Sequence, residues 1–185
     1  MYCLSNSSFL RGASHPKELV AAAVAQGYRA LAITDECSLA GVVRAHEAAS
    51  AAGLHHIIGI EIRLQGGPTI VLLAPDREGY TELCQLITKG RRRAPKGSYQ
   101  LALTDLEELP HCLAIWIPDY RGGTEYADWF RKRFPKRAWI GVTQLLEAED
   151  LDRLKALRVL GESSGIPLTA VGAVQYHQRQ RRQPL

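Results

Sequence analysis

Apolar and polar positions along this chain fall into two alternating regimes. Near-continuous apolar runs recur at 29–34 (RALAIT), 56–62 (HIIGIEI), 69–74 (TIVLLA), 112–117 (CLAIWI), 137–142 (RAWIGV) and 167–171 (PLTAV). Unbroken apolarity over so short a span is what a strand covered on both faces requires; a half-exposed strand would alternate. Residues 2–4 are expected to add a seventh strand. Between the runs lie amphipathic stretches that predict helices over 16–26, 38–52, 78–88, 125–133 and 148–163. Ser14 is the expected N-cap of the first, with Pro16 in its opening turn, and Gly53 the expected C-terminal stop of the second. The segment 90–97 is the only linker-like insertion, and no internal repeat is evident.

Strand–helix alternation of this kind implies right-handed crossovers and a parallel sheet, hence an α/β fold. The pattern does not separate a closed barrel from an open doubly wound sheet. In either, function sits on loops at the C-terminal strand ends. Those are expected at 5–14, 35–37, 61–65, 75–77, 118–119 and 172–177.

Bulk composition narrows the picture. The chain has 185 residues, 46% hydrophobic and 23% charged, which suits one globular domain. No stretch approaches the roughly 18–20 apolar residues of a membrane span. The N-terminus shows neither a basic leader nor an apolar run, so no secretory signal is expected. Cys3, Cys37, Cys84 and Cys112 form no C-x-x-C pair and are expected to be reduced cytoplasmic thiols. Formal net charge is +4, with the excess in three clusters at 89–96, 131–137 and 179–182. Such clusters can neutralise phosphates, so Arg91, Arg92 and Arg93 are candidate nucleic-acid contacts; solvated loops and basic helix ends are the plainer explanation.

Several loops carry a resemblance when taken together. Residues 5–16 (SNSSFLRGASHP) resemble the opening motif of PHP (polymerase and histidinol phosphatase) domains, in the version found in error-prone relatives of the replicative DNA polymerase III alpha subunit. Residues 30–43 resemble the second motif and 57–61 (IIGIE) the third. The stretches 71–80 and 86–93 look like the polymerase branch, and 172–185 resembles the end of that domain. The resemblance implies a single domain over 1–185, cut from a longer polymerase, with a distorted seven-stranded parallel (β/α) barrel. It also implies His, Asp and Glu ligands at the strand ends, holding metal ions that activate water against a phosphoester.

Carried over residue by residue, those ligands are almost all missing. The paired histidines of the opening motif fall at Tyr2 and Leu4, and the next ligand falls at Arg11, a cation. The histidine after the Thr-Asp pair is Glu36. Thr69 replaces another, residues 117–119 offer no His or Cys, and the closing Asp-x-His reads Ala173-Val174-Gln175. Glu61 alone is retained by type. The expectation is therefore no catalytic residue here, with Glu61, Glu36 and Asp35 as a vestigial metal site. Asp35 is alternatively a helix N-cap, and Glu61 an ion-paired carboxylate. The remaining histidines, His46, His55, His56, His111 and His177, have no metal-ligand spacing.

The expected function is that of a non-catalytic scaffold in a cytoplasmic, error-prone DNA-directed DNA polymerase acting in translesion synthesis and DNA repair. No cofactor is expected in this segment; a divalent metal such as magnesium would serve the palm. Expected partners are DNA, the palm and thumb domains and other mutagenesis and replication proteins, with no membrane. Two rivals remain open. One is a free-standing PHP phosphoesterase built on Asp35, Glu36, Glu61 and His177. The other is a truncated binding module.

Overall fold

A computed structural model describes residues 1–118 and 124–181. The expected contribution of Asp119 to a strand-end loop, and of Arg182 to the third basic cluster, lies outside the described residues. Seven strands form one curled sheet in the order β1-β2-β3-β4-β5-β6-β7. They are β1 Tyr2–Cys3, β2 Ala30–Ile33, β3 His55–Arg63, β4 Thr69–Ala74, β5 Leu113–Ile117, β6 Ala138–Val142 and β7 Leu168–Ala170. The helices are α1 Pro16–Ala25, α2 Val42–Ala52, α3 Arg77–Arg92, α4 Ala127–Arg133 and α5 Asp150–Ser164. The two sheet edges meet at an isolated parallel bridge between Cys3 and Val174. There the Leu4 N–H donates to the Val174 carbonyl at 2.8 Å, so the curl approaches a barrel.

One strand departs from the parallel expectation. β4 runs antiparallel to both β3 and β5. Only residues 64–68 join it to β3, whereas a parallel neighbour needs a crossover of about a dozen residues or more. Reversal moves the end of β4, and with it the turn at 75–77, to the sheet end opposite the other C-terminal strand ends. Thr69, which opens β4, pairs with Arg63 and Ile117 at the functional end instead.

Cores form on both faces of the sheet. The largest packs α3, α4 and α5 against β3–β6 around Trp116, Phe130 and Phe134. A second packs α1 and α2 on β1 and β2. A third centres on Tyr2, Ala32 and Val71, with Ile57, Leu73, Ile115 and Ala173 around them. The four cysteines are free thiols, three of them buried.

Local deviations from the sequence pattern each have a cause. α1 begins after His15, whose N–H donates to Glu18. Ser14 does not cap it; its hydroxyl lies 2.8 Å from His177 Nδ1 and accepts the His177 N–H. α2 starts at Val42 rather than near 38, because Cys37 (φ 44°) turns the chain back to donate its N–H to the Glu61 carbonyl. α3 continues to Arg92, so the first part of the expected insertion is helical.

His56 on β3 gives a pH-dependent expectation. Neither of its ring nitrogens has a hydrogen-bond partner among the described residues. Burial first, then the neighbouring His46 and His55, push its pKa down to about 4. Between the unfolded value of about 6.5 and about 4, only the unfolded chain takes up this proton. Stability therefore falls as pH falls through that window. Urea midpoints at pH 7 and pH 5 should differ less in His56→Leu than in the unsubstituted chain; equal differences would refute the assignment.

Candidate functional site

At the C-terminal ends of β1, β2 and β3 the chain builds two adjacent polar networks. The first surrounds Asp35. Its side chain is 1% exposed, and its carboxylate accepts the Ser5 N–H at 2.7 Å, the Ser5 hydroxyl at 2.7 Å and the Ser8 hydroxyl at 2.8 Å. Ser8 Oγ in turn accepts the Glu36 N–H at 2.9 Å. These bonds pin the loop between β1 and α1 onto the end of β2. Gly12 lets the loop fold so tightly: a Cβ there would lie 1.9 Å from the Ser5 carbonyl oxygen. Asp35 is thus neither the helix cap nor a ligand grouped with Glu36 and Glu61.

The second network joins Glu36 and Glu61, which form an isolated parallel bridge across strand ends. Arg11 lies between them. Its Nη1 donates to Glu36 Oε2 at 2.7 Å and sits 2.6 Å from Glu61 Oε1, the latter an ion pair without in-line hydrogen-bond geometry. Arg63 approaches Glu61 more loosely, at 3.9 Å. Tyr99 completes the group: its hydroxyl donates to Glu36 Oε1 at 2.9 Å and accepts the Arg63 N–H at 2.9 Å. Burial opposes ionisation of Glu36, yet the hydrogen bonds from Arg11 and Tyr99 outweigh it and hold its pKa low. Burial likewise opposes the charge on Arg11 and is overcome by Glu36 and Glu61. Burial, with the charge on Glu36 adding to it, pushes the Tyr99 phenol well up.

A metal centre of the expected type does not fit these residues. Tyr2 and Ala173 belong to the apolar cluster on the sheet's inner face. Leu4 is fully buried, and Gln175 is exposed. Arg11 lies on Glu36 and Glu61. Among the described residues no group of three or more His, Cys, Asp or Glu side chains is placed to hold a metal ion. His177 is tied to Ser14 and near Glu18 instead, so among the described residues Asp35, Glu36, Glu61 and His177 form no single metal-holding group.

Tyr99 carries no signal in the sequence, and Arg91 is marked there only as a candidate nucleic-acid contact. Tyr99 meets Glu36 across 63 positions. Arg91 reaches the carbonyls of Glu36 at 3.3 Å and Cys37 at 3.1 Å, with its guanidinium 5.5 Å from the centre of the Tyr99 ring. It braces the loop carrying Glu36, a different use from the phosphate contact expected of it. Arg93 Nη1 donates to both carboxylate oxygens of Asp105, at 2.8 and 2.7 Å, beside Lys89 at 3.1 Å. Arg133 and Arg137 donate to backbone carbonyls of Leu106 and Cys112. Of the candidate nucleic-acid triplet only Arg92 extends from the surface without such a bond among the described residues.

Comparison with known proteins gives the family. The family model of the PHP domain matches residues 2–148. The error-prone DNA polymerase of Methylococcus capsulatus is 54% identical over 187 aligned residues, covering 100% of this chain and 18% of that protein. That of Pseudomonas aeruginosa is 53% identical over 183, covering 98% and 18%. The chain therefore spans about a fifth of the length of these curated relatives. Among solved structures, an amidohydrolase from Chromobacterium violaceum with bound sulfate and no metal superposes with a TM-score of 0.67 at 16% identity, covering 95% of this chain and 86% of that one.

Proposed function

The chain belongs to the PHP domain family, and on that premise we propose that it serves as the PHP segment of an error-prone, C-family DNA-directed DNA polymerase, in the role of a non-catalytic scaffold. The observation that carries this reading is the 54% identity to such a polymerase across the whole of this chain. Translesion synthesis and DNA repair in the cytoplasm would be the work of the full polymerase. Nucleotidyl transfer would fall to palm carboxylates elsewhere in it, with a divalent metal such as magnesium. The scaffold role is supported by Arg11, a cation that takes up the carboxylates of Glu36 and Glu61 at this strand end. Packing against palm and thumb, and contact with other mutagenesis and replication proteins, belong to the same proposal. Arg92 and the exposed Lys132 and Lys136 would lend positive charge toward primer–template DNA.

Grafting these residues into the Methylococcus capsulatus polymerase in place of its own segment is expected to preserve magnesium-dependent primer extension past a template lesion. The 185-residue chain alone is expected to leave p-nitrophenyl phosphate intact in manganese. Metal-dependent hydrolysis by the isolated chain, abolished by Glu61→Ala, would establish the free-standing phosphoesterase instead.

A further inference from the structure

We infer that Arg11 is a tethered cation that performs the structural duty of a metal ion at this strand end. The inference rests on contacts within this chain and is independent of any polymerase activity. Three separate pieces of chain converge here: the loop after β1 brings Arg11, the end of β2 brings Glu36, and β3 brings Glu61. A single nitrogen, Arg11 Nη1, touches both carboxylates at 2.7 and 2.6 Å, as an ion bridging two ligands would. The Glu61 side chain is only 3% exposed and the Arg11 side chain 21%, so water screens their interaction poorly.

Without Arg11 the two glutamates would face each other from neighbouring strand ends, with Arg63 at 3.9 Å from Glu61 and the Tyr99 hydroxyl on Glu36 left to offset them among the described residues. The loop from Ser5 to Ser14 would lose its ion-pair link to β3, while its hydrogen bonds to Asp35, to the Glu36 N–H and to the Gln175 carbonyl past β7 would remain. A guanidinium satisfies this geometry because it is planar, permanently charged and offers several donors. Being covalently attached, it also makes the site independent of metal supply and insensitive to chelators.

Removing the guanidinium should expose an acidic pair, flanked by the Tyr99 hydroxyl, that a divalent cation can fill. The test compares thermal unfolding of the 185-residue chain and its Arg11→Ala variant, in chelator and in millimolar Mn2+, with Mn2+ binding followed by electron paramagnetic resonance. The unsubstituted chain is expected to melt at one temperature in both buffers. Arg11→Ala is expected to melt lower by on the order of 5–10 °C in chelator. Mn2+ should raise it back, with one bound ion that Glu61→Gln on the same background abolishes. A variant as stable as the parent, a melting point that Mn2+ does not move, or equal Mn2+ binding by both chains overturns the inference.

If Arg11→Ala does not fold, the triple variant Arg11→Met, Glu36→Gln, Glu61→Gln provides the decision. It removes all three charges together. A folded triple variant indifferent to Mn2+ supports a charge-balancing role for Arg11. A triple variant that is also unfolded shows that Arg11 acts through its shape, and overturns it.

Discussion

Asp35→Ala is expected to destabilise the chain by on the order of 3–5 kcal/mol, read as a shift in the urea midpoint at constant slope. The carboxylate accepts three bonds from Ser5 and Ser8 while itself 1% exposed. Alanine would leave the Ser5 N–H and two hydroxyls buried without an acceptor, and each such orphan costs about 1–3 kcal/mol. Asp35→Asn should recover much of the loss, because its Oδ1 can keep the bonds from the Ser5 N–H and the Ser8 hydroxyl, and the Ser5 hydroxyl can turn to accept from the amide nitrogen. A helix-capping role would give a loss near 1 kcal/mol, so the size of the effect discriminates. A loss of that smaller size would mean that the loop is held by its other contacts.

Trp116→Ala is expected to cost a similar amount, about 3–5 kcal/mol, for a different reason. Trp116 is fully buried in the main core and stacks on Phe130 with ring centres 5.1 Å apart. Truncation leaves a cavity that β5 and α4 cannot close without moving the sheet. The indole N–H, however, has no hydrogen-bond partner among the described residues. Trp116→Phe gives up volume but also removes a buried, unsatisfied donor, so it should cost less than about 1.5 kcal/mol. Equal losses for the two variants would show that the indole edge, rather than the ring stack, matters at this position.

The strands were the most legible part of the fold. The run 69–74 coincides with β4, and the runs 56–62 and 112–117 match β3 and β5 to within a residue. Apolar continuity reports burial on both faces, and burial is what these strands share. Direction is a separate property. Nothing in TIVLLA tells whether it runs with or against its neighbours; the short connection at 64–68 decides that by being unable to carry a crossover. The same reversal carried the turn at 75–77 away from the functional end, against the expectation that every strand's C-terminus points there.

At the site, Asp35 and Glu36 look like one acidic pair in the sequence. At a strand end, successive side chains point to opposite sides, and the two separate accordingly. Asp35 is taken by the serines of the first loop, and Glu36 meets Glu61 and Arg11. Arg11 was legible as an intruder among ligand positions, since a cation there opposes metal binding. That it satisfies the carboxylates was not legible, because Arg11 and Glu61 meet only when the sheet curls. Tyr99 was invisible as a site residue for the same reason, and Arg91 was legible only as a candidate nucleic-acid contact.

By itself, the sequence determined the family, the alternation of strand and helix, and the loss of ligands at Tyr2, Leu4, Thr69, Ala173 and Gln175, because each is a matter of residue type in order. The tertiary structure alone decided the direction of β4, the partners of the basic clusters, and the pairing of Arg11 with Glu36 and Glu61. Those depend on which distant backbones come within hydrogen-bond reach, and no local pattern encodes that distance.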